Sequence, residues 1–307
     1  MRLAWLALVT VTACASIANL DEFRDVGAQA GGGADQGGAD AEGGGGTHAG
    51  GGPVGGGGTA GAGGQGVTAY RDAILAGPGL VSYWRLGDSA STAAKNLIDS
   101  SADGTYLGDL TAHAGLVGDT DGATRFQPGN GKMVVGANKL DFFDSFANGG
   151  FTIELWFKPD LASGTLISLR ADGATTWSFR LRLEASTAAR VLFDLTVPNS
   201  DLVATLPMDL DETAQVHHLA ASWSGGGESP AFQACLILDD VTKCGDENTA
   251  SFSVPNQSAD LVVGAEQNVI LDGTQSHFVG VIDEVAIYTP MLDPAVISLH
   301  NQLGRMQ

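Results

Sequence analysis

The sequence predicts an all-β protein in which two antiparallel sheets pack face to face as a jelly-roll sandwich. The two strand faces alternate strictly from Phe151 to Lys158, with one face wholly apolar, and Pro159 closes the strand. That face needs a second apolar surface to cover it. Several later segments repeat the alternation and are separated by turn residues, which favours a sandwich over alternating strands and helices.

The amino terminus has the layout of a secretory signal. Met1-Arg2 is followed by an apolar run from Leu3 to Ala13, which is too short to span a bilayer. Val11-Thr12-Ala13-Cys14 resembles the lipobox of bacterial lipoproteins, a family in which the cysteine is lipidated. The resemblance implies a signal peptide over residues 1–13, a lipid on Cys14 and, because Ala15 follows, the outer membrane. The alternative is ordinary cleavage around Ala13-Cys14-Ala15 and release of a soluble secreted protein.

Residues 14–66 are predicted to form a disordered linker. More than half of the residues from Gly31 to Gly66 are glycine. Such a segment cannot bury enough apolar surface to offset the entropy of ordering it. A glycine-rich coil of this length spans roughly 30–36 Å. Residues 67–307 remain for a single β domain.

The charge balance excludes one class of partner. The formal net charge is −20 and the pI is about 4.3. Nucleic acids are bound through clustered Lys and Arg, and no such cluster occurs here. Charge-driven binding to an anionic membrane is equally disfavoured, so we expect membrane contact through the lipid anchor alone.

Before the central strand the pattern predicts one short helix and four strands. The helix covers Ala69–Leu75 and ends at Gly77-Pro78-Gly79. The strands begin with Leu80–Leu86, which is closed by Gly87-Asp88-Ser89. The others are Thr105–Leu107, Ala123–Phe126 and Lys132–Val135.

After the central strand, short strands continue almost to the carboxyl end. They are Gly164–Leu169, Thr176–Leu183, Val191–Val197, Val216–Trp223, a hairpin around Asp239-Asp240, Ser251–Val254, Leu261–Gly264 and Phe278–Tyr288. A second short helix is predicted at the tail, with Asp293 as N-cap, Pro294 at its first position and apolar residues over Ile297–Leu303.

Cys235 and Cys244 are predicted to form a disulfide across that hairpin. If Asp239-Asp240 is a two-residue loop, Cys235 lies opposite Cys244 as a non-hydrogen-bonded pair, with Cα atoms about 4.5 Å apart. That separation lies within the range that disulfides span. Export would place both cysteines in an oxidising compartment.

Four stretches, in this order, resemble the laminin-G-like jelly roll, a concanavalin A-like sandwich. They are Tyr83-Trp84-Arg85-Leu86, Phe151 to Trp156, His217-His218-Leu219-Ala220 and Gly280 to Tyr288, the last followed by Leu292-Asp293-Pro294. The resemblance covers about Leu80 to Leu303. It departs at Val216, where the family prefers Trp, and at Asp239-Asp240, where Asp-Gly is common. Because the family holds carbohydrate-binding, protein-binding and enzymatic members, it does not by itself define a function.

The sequence does not predict a catalytic site. Related glycoside hydrolases need two carboxylates close together, which an E-x-D-x-E strand would supply. Glu154 is instead followed on its face by Trp156 and Lys158. The adjacent acids Asp283 and Glu284 are expected to point to opposite sides of their strand.

His217 and His218 are likewise expected to face opposite ways and to be structural. The competing interpretation is a metal or acid–base role for the pair.

Asp283 is the best metal candidate. In related sandwiches an Asp at this point of the last long strand helps to hold a structural Ca²⁺. Calcium takes six to eight oxygen ligands, and Asp88, Asp119 or Asp121 could approach from nearby loops. The alternative is a solvated or hydrogen-bonded aspartate.

Trp156 permits two interpretations. On an exposed sheet face it could stack against a sugar. The alternative is that it packs in a secondary core beneath a long loop.

The sequence therefore predicts a non-catalytic surface module, exported and lipid-anchored, that recognises a glycan or an extracellular protein through loops at one rim. Its ligand-binding residues are not identified by the sequence. One alternative is a structural or adhesive surface protein that binds no sugar. A divergent glycoside hydrolase is a more distant alternative, because the carboxylate pair is missing.

Overall fold

The computed structural model describes residues 66–88, 91–140, 150–171, 179–185, 189–197, 200–207, 214–224, 233–245, 259–266 and 277–306. They belong to one compact unit, Thr59–Gln307. The predicted signal peptide, Cys14, nearly all of the predicted linker and the predicted strand Ser251–Val254 lie outside these residues. The domain boundaries and the lipidation of Cys14 therefore stay predictions. Across the ranges given above, no helix is long and apolar enough to cross a membrane.

The described residues form sixteen strands and two α-helices. In chain order these are α1 (Gly66–Ala76), β1 (Leu80–Trp84), β2 (Ala93–Ala94), β3 (Gly104–Leu107), β4 (Leu110–Ala114), β5 (Gly122–Phe126), β6 (Lys132–Val135), β7 (Phe151–Pro159), β8 (Gly164–Ala171), β9 (Phe179–Glu184), β10 (Arg190–Val197), β11 (Ser200–Pro207), β12 (His217–Trp223), β13 (Ala234–Leu238), β14 (Val241–Cys244), β15 (Ala259–Val263), β16 (Gly280–Tyr288) and α2 (Pro294–Arg305).

The strands make two antiparallel sheets, as predicted. Sheet A has the order β14-β13-β12-β7-β16-β5-β4, and β1 pairs with the end of β16 that β5 does not reach. Sheet B has the order β11-β10-β9-β8-β15-β6-β3-β2. The central strand β7 pairs with β12 on one side and β16 on the other, so the strand chosen from its alternation lies in the middle of sheet A.

The main core lies between the sheets. Phe151 and Phe157 of β7 are fully buried there, as their alternation predicted. The ring of Phe151 packs at 6.2 Å from that of Phe193 and at 5.6 Å from that of Phe179, both on sheet B. These contacts join the inner faces of the two sheets.

A second apolar cluster lies on the outer face of sheet A, under the two helices. Tyr70 and Ile74 of α1 and Ile297 of α2 are buried in it. Both predicted helices are confirmed, and the N-cap of α2 forms as expected, with Asp293 Oδ1 accepting a hydrogen bond from Ala295 N at 2.8 Å. Because this cluster covers the second face of sheet A, the polar side of β7 is also buried, except for the half-buried Lys158.

Three strands were not predicted. They are β2, β4 and β11, and each is the terminal strand of a sheet in the order given above. An end strand pairs on one side, so its sequence is less constrained to alternate than that of a central strand. Of the predicted strand Thr176–Leu183, the structure describes residues 179–183 as part of β9.

Candidate functional site

The outer face of sheet A is closed by the helices, and Trp156 lies beneath them. Its indole is 1% exposed, and its Nε1 donates a hydrogen bond to Tyr70 Oη at 2.9 Å. From α2, the Arg305 guanidinium lies 5.5 Å from the ring centroid. The interpretation of Trp156 as a sugar platform is therefore wrong. It is a secondary core residue, covered by two helices rather than by a long loop.

A buried glutamate with two histidines joins α2 to sheet A. Glu154 Oε1 lies 2.7 Å from Nε2 of His218, and Glu154 Oε2 lies 2.9 Å from Nδ1 of His300. All three side chains are at most 1% exposed. Burial opposes ionisation of Glu154, but the nearby His300 and the hydrogen bonds from both histidines outweigh it, lowering the pKa of the carboxyl to about 2.

Sequence patterns identified only some of the residues of this buried site. Adjacent strand residues do face opposite ways, since His218 meets Glu154 whereas His217 meets Asp239 at 2.7 Å. Both histidines make structural contacts, as expected. His300 could not be predicted as a member of the site, because the sequence around a single histidine in a helix does not indicate which strand the helix will pack against.

A second charged cluster surrounds Arg85 at the bulge of β16. The Arg85 guanidinium contacts Glu284 Oε1 at 2.7 Å, Asp121 at 3.1 Å and Asp119. Tyr83 donates its hydroxyl hydrogen bond to Glu284 as well. One partly buried, arginine-centred network thus links β1, β16 and the loop before β5.

The expectation that Asp283 and Glu284 point to opposite sides is wrong. Glu284 has a φ of +55° and lies where the pairing of β16 with β7 shifts register. A β-bulge adds one residue to a strand and so breaks the alternation of faces. Both carboxyls consequently belong to the same buried cluster. Burial and the charge of Glu284 raise the pKa of Asp283, and burial raises that of Glu284 to about 7 despite Arg85.

These residues do not fit a calcium site. Asp283 Oδ2 accepts a hydrogen bond from Leu116 N at 2.7 Å, and Arg85 already supplies the positive charge between Asp119 and Asp121. Asp88 is engaged elsewhere, by Lys95 N and the Tyr106 hydroxyl. No group of three or more His, Cys, Asp or Glu within the described ranges is arranged to hold a metal ion. Calcium at Asp283 remains an untested prediction that this donor set disfavours.

The hairpin disulfide is confirmed. Cys235 pairs with Cys244 across β13 and β14, with Cα atoms 4.0 Å apart, and the whole predicted register holds. Asp239 and Asp240 form the two-residue loop with φ of +49° and +70°. The loop docks on α2, because Asn301 donates to Asp240 Oδ2 at 2.7 Å and Arg305 contacts Asp239.

The outer face of sheet B carries a different kind of polar surface. There Arg180 and Arg182 of β9 both donate to Oδ2 of Asp194 on β10, at 2.5–2.8 Å from Arg180 and 2.8 Å from Arg182. Arg182 also donates to Glu184 at 2.6 Å, and this contact lowers the pKa of Glu184. We call Arg180, Arg182, Glu184 and Asp194 the sheet B charge cluster. Their side chains are 13–36% exposed, so water and ligands can reach them.

Cross-strand pairing explains why this cluster is ordered. Asp194 lies directly opposite Arg180 in the register of β9 and β10, and Leu192 lies opposite Arg182. When a carboxylate holds an arginine guanidinium in place, the N–H donors of the guanidinium and the oxygen acceptors of the carboxylate have fixed positions. Arg180 and Arg182 alternate with the buried side chains of β9 and so face outward, but Asp194, which holds both, comes from a separate strand.

Comparison with known proteins agrees with the fold. Residues 130–298, more than half of the chain, match the family model of the concanavalin A-like lectin/glucanases superfamily. A comparison with curated proteins finds no match.

Solved structures with a similar fold include two binding domains of botulinum neurotoxins. One is that of neurotoxin DC in complex with rat synaptotagmin II (11% identity, TM-score 0.53, 74% of this chain and 52% of that one). The other is the receptor-binding domain of type G, with 10% identity and a TM-score of 0.51. That match covers 73% of this chain and 51% of the type G domain. The chain thus spans about half the length of these domains.

Domain 4 of AbnA, an extracellular GH43 arabinanase from Geobacillus stearothermophilus, is also similar and was solved in complex with arabinotriose. The identity is 15% and the TM-score is 0.47, and the match covers 75% of this chain and 100% of that domain. At these identities the likeness is one of fold.

Proposed function

The chain belongs to the concanavalin A-like lectin/glucanase superfamily, and on that premise we propose that it is a non-catalytic surface binding module. It recognises a glycan or an extracellular protein through the outer face of sheet B and the loops that border it. It is exported and attached through a lipid on Cys14, with residues 14–66 as a flexible tether. This arrangement lets one domain search a volume around its anchor.

The sheet B charge cluster carries the proposal. The outer face of sheet A is occupied by α1 and α2, whereas Arg182 and Glu184 on sheet B are 24% and 36% exposed. Strand-mounted donors and acceptors are held in place before a ligand arrives, which reduces the entropy lost on binding. A surface of this kind suits a polar ligand.

The described surface favours hydrogen bonding over stacking. Its exposed large hydrophobic side chains are all aliphatic, whereas Trp, Tyr and Phe rings such as Trp156 and Trp223 are buried. Sugar hydroxyls can donate to Asp194 or Glu184 and accept from Arg182. Recognition through these groups would depend on ionic strength, because partly exposed charges are screened.

An adhesive protein that docks to a neighbour is the second candidate. Leu97, Ile98 and Leu107 lie near the β2–β3 end of sheet B and are 42–44% exposed. Exposed aliphatic side chains suit a protein surface better than a sugar. This candidate shares the fold and the tether with the first and differs in its ligand.

A glycan hydrolase is the least favoured function. The acids considered for catalysis, Glu154, Asp283 and Glu284, are at most 1% exposed. A carboxyl group without access to substrate cannot act as acid or nucleophile. Hydrolysis in a β-glucan panel would overturn this exclusion.

A glycan array on the unit Thr59–Gln307 tests the main proposal. We expect sugar binding that Arg182→Gln weakens at least several-fold. The matched control is Arg125→Gln, which also removes a partly exposed arginine from a salt bridge, with Asp160 at 2.6 Å, but on sheet A. Binding that is unaffected by Arg182→Gln would contradict the assignment to sheet B. If no sugar binds, and a protein is retained by wild type and by Arg182→Gln but not by Leu107→Lys, the adhesive candidate replaces the first.

Anchoring needs a separate experiment on the precursor. Lipidation at Cys14 predicts that the mature chain partitions with membranes and that its first residue carries a diacylglyceryl mass increment. Cys14→Ser should move the protein to the soluble fraction. An unmodified mature chain in the wild type would support simple secretion instead.

A further inference from the structure

The outward side of α2 is largely apolar, although it faces solvent. The helix turns its other side to sheet A, where it buries Ile297, His300, Asn301 and Gly304. The outward side carries four exposed residues at the spacing of one helix face, namely Ala295, Leu299, Gln302 and the C-cap residue Met306. We call these four residues the outer stripe of α2. Leu299 and Met306 are 48% and 59% exposed, whereas a surface helix normally places charged residues on this side.

The outer stripe also lacks acidic residues in a strongly acidic chain. The sequence from Pro294 to Arg305 contains no Asp or Glu, although the whole chain has 35 acidic residues and a net charge of −20. Asp293 lies before the first turn, where it caps the helix. On the neighbouring helix α1, the exposed Asp72 follows the exposed Arg71, so the two charges offset each other. This side of the domain can therefore approach an apolar surface with little charge to desolvate.

The predicted linker joins the domain beside this stripe. It ends at Gly66, the first residue of α1, and α1 packs with α2 on the outer face of sheet A. The ring of Tyr70 in α1 lies 6.4 Å from that of His300 in α2. Beyond the other end of α1, Thr289 N donates a hydrogen bond to Gly79 O at 2.8 Å. The two helices consequently run antiparallel, and the linker enters next to the last turn of α2.

We propose that the outer stripe of α2 lies on the lipid bilayer to which Cys14 is anchored. This inference rests on the lipid anchor of the proposed function and adds how the domain sits on the bilayer. Leu299 and Met306 enter the boundary between headgroups and acyl chains, as the apolar side of an interfacial helix does. The contact is apolar and is additional to the lipid anchor, the only membrane contact that the charge balance led us to expect.

The linker makes a small contact sufficient. Two long apolar side chains would not hold a free protein of this charge on a bilayer, because interfacial binding scales with the apolar area that is buried. A flexible linker of about fifty residues keeps the domain within roughly 40 Å of its anchor. Docking is then intramolecular, at an effective concentration on the order of millimolar. The anchor and the outer stripe therefore act together.

Docking through α2 orients the face proposed to bind ligand. Helix α2 covers the outer face of sheet A, whereas Arg182 and Asp194 of the sheet B charge cluster lie on the outer face of sheet B. The outer faces of the two layers of a sandwich point in opposite directions. A domain that rests on α2 consequently presents the sheet B charge cluster away from the bilayer, toward glycans or proteins in the surrounding medium.

Tryptophan quenching on vesicles tests the docking. The mature chain, from Cys14 onward, is coupled through the Cys14 thiol to a maleimide lipid in phosphatidylcholine vesicles, while Cys235 and Cys244 remain in their disulfide. Brominated acyl chains in these vesicles quench the tryptophans that reach them. We expect Gln302→Trp on the outer stripe to lose most of its added emission. The matched control Thr105→Trp, at an exposed position of sheet B, should lose none.

A second pair of variants tests the apolar contact in the Gln302→Trp background. Leu299→Glu should abolish the quenching, and Leu107→Glu, the same change at a leucine of similar exposure on sheet B, should leave it intact. Both variants should keep the melting temperature of their parent, because both leucines are exposed.

Two results would overturn the proposal. Gln302→Trp that stays unquenched would leave a protein rather than the bilayer as the partner of the outer stripe. Equal quenching of Gln302→Trp and Thr105→Trp would show that the domain has no fixed orientation. Because the maleimide lipid supplies the anchor, neither result depends on whether cells lipidate Cys14, and the tests of lipidation and sugar binding are decided separately.

Discussion

Gly304 of α2 lies directly against the indole ring of Trp156 in β7. A Cβ at position 304 would stand 2.9 Å from Cε2 of Trp156 and 3.0 Å from Cη2. The absence of a side chain at this position lets α2 approach sheet A and bring His300 to Glu154. The helix, the tryptophan and the buried carboxylate therefore depend on one close contact.

Gly304→Ala is expected to destabilise the domain. Glycine in a helix normally gains stability on replacement by alanine, but here the methyl group would overlap a buried ring. Overpacking of this kind costs about 1–3 kcal/mol. Urea unfolding measures the change, with Gln302→Ala on the exposed side of α2 as a control expected within about 0.5 kcal/mol of wild type. Equal or greater stability of Gly304→Ala would show that α2 does not pack as described.

Glu154→Gln should alter the acid unfolding of the protein. The pKa of Glu154 falls from 4.5 to about 2 in the folded state, so its ionisation contributes stability above pH 4.5 that is lost as the pH falls toward 2. The contribution is about 3 kcal/mol. The variant should be less stable at pH 7 and should show a flatter loss of stability between pH 4.5 and 2.

Denaturant titrations over that pH range measure the effect of Glu154. Glu184→Gln provides the comparison at an exposed strand position, where a pKa shift is screened by solvent. Parallel stability curves for wild type and Glu154→Gln would contradict the buried charge pairing.

Removing the Cys235–Cys244 disulfide should cost about 2–3 kcal/mol, since it closes a short loop and constrains the unfolded chain modestly. The double variant Cys235→Ser, Cys244→Ser should melt at a lower temperature than the oxidised wild type. Reductant should lower the melting temperature of wild type alone. A reductant effect of the same size on the double variant would assign it to something other than this bond.

The positive φ of Asp240 predicts a contrast between two substitutions. Asp240→Gly relieves the backbone cost but loses the hydrogen bond from Asn301, so it should fall within about 1 kcal/mol of wild type. Asp240→Ala loses the same bond and keeps a Cβ in the left-handed region, which costs about 1–2 kcal/mol more. Thermal unfolding of both variants checks the order, and an alanine variant as stable as the glycine variant would contradict it.

Calcium is expected to leave the melting temperature unchanged. Arg85 already forms ion pairs with Asp119, Asp121 and Glu284, so a divalent cation would have to compete with a fixed guanidinium. Melting curves in calcium and in excess chelator provide the measurement. A higher melting temperature in calcium that Asp283→Asn abolishes would restore the calcium site inferred from the family resemblance.

Local patterns predicted the parts of the fold that depend on nearby residues. The alternation of Phe151 to Phe157 predicted the central strand, and the spacing around Asp239-Asp240 predicted the disulfide register. Asp293 and Pro294 predicted the start of α2. In each case the decisive interaction is between residues a few positions apart, or between one strand face and any apolar cover.

The polar centres could not be predicted in the same way. Glu154 and His300 are 146 residues apart, and Arg85 and Glu284 are 199 apart. The periodicity of apolar residues within one element does not indicate which distant side chain will contact a buried carboxylate. The bulge at Glu284 also broke the strict alternation on which the placement of Asp283 and Glu284 rested.

The sequence by itself determined that the chain folds as two stacked β-layers, because side chains of a strand must alternate and an apolar face must be buried. Tertiary structure alone decided which face of each sheet stays open. The helices close the outer face of sheet A over Trp156 because Gly304 lets α2 approach. On sheet B, Arg182 and Asp194 remain 24% and 14% exposed. That outcome depends on packing between elements far apart in the chain, which residue patterns within one element do not encode.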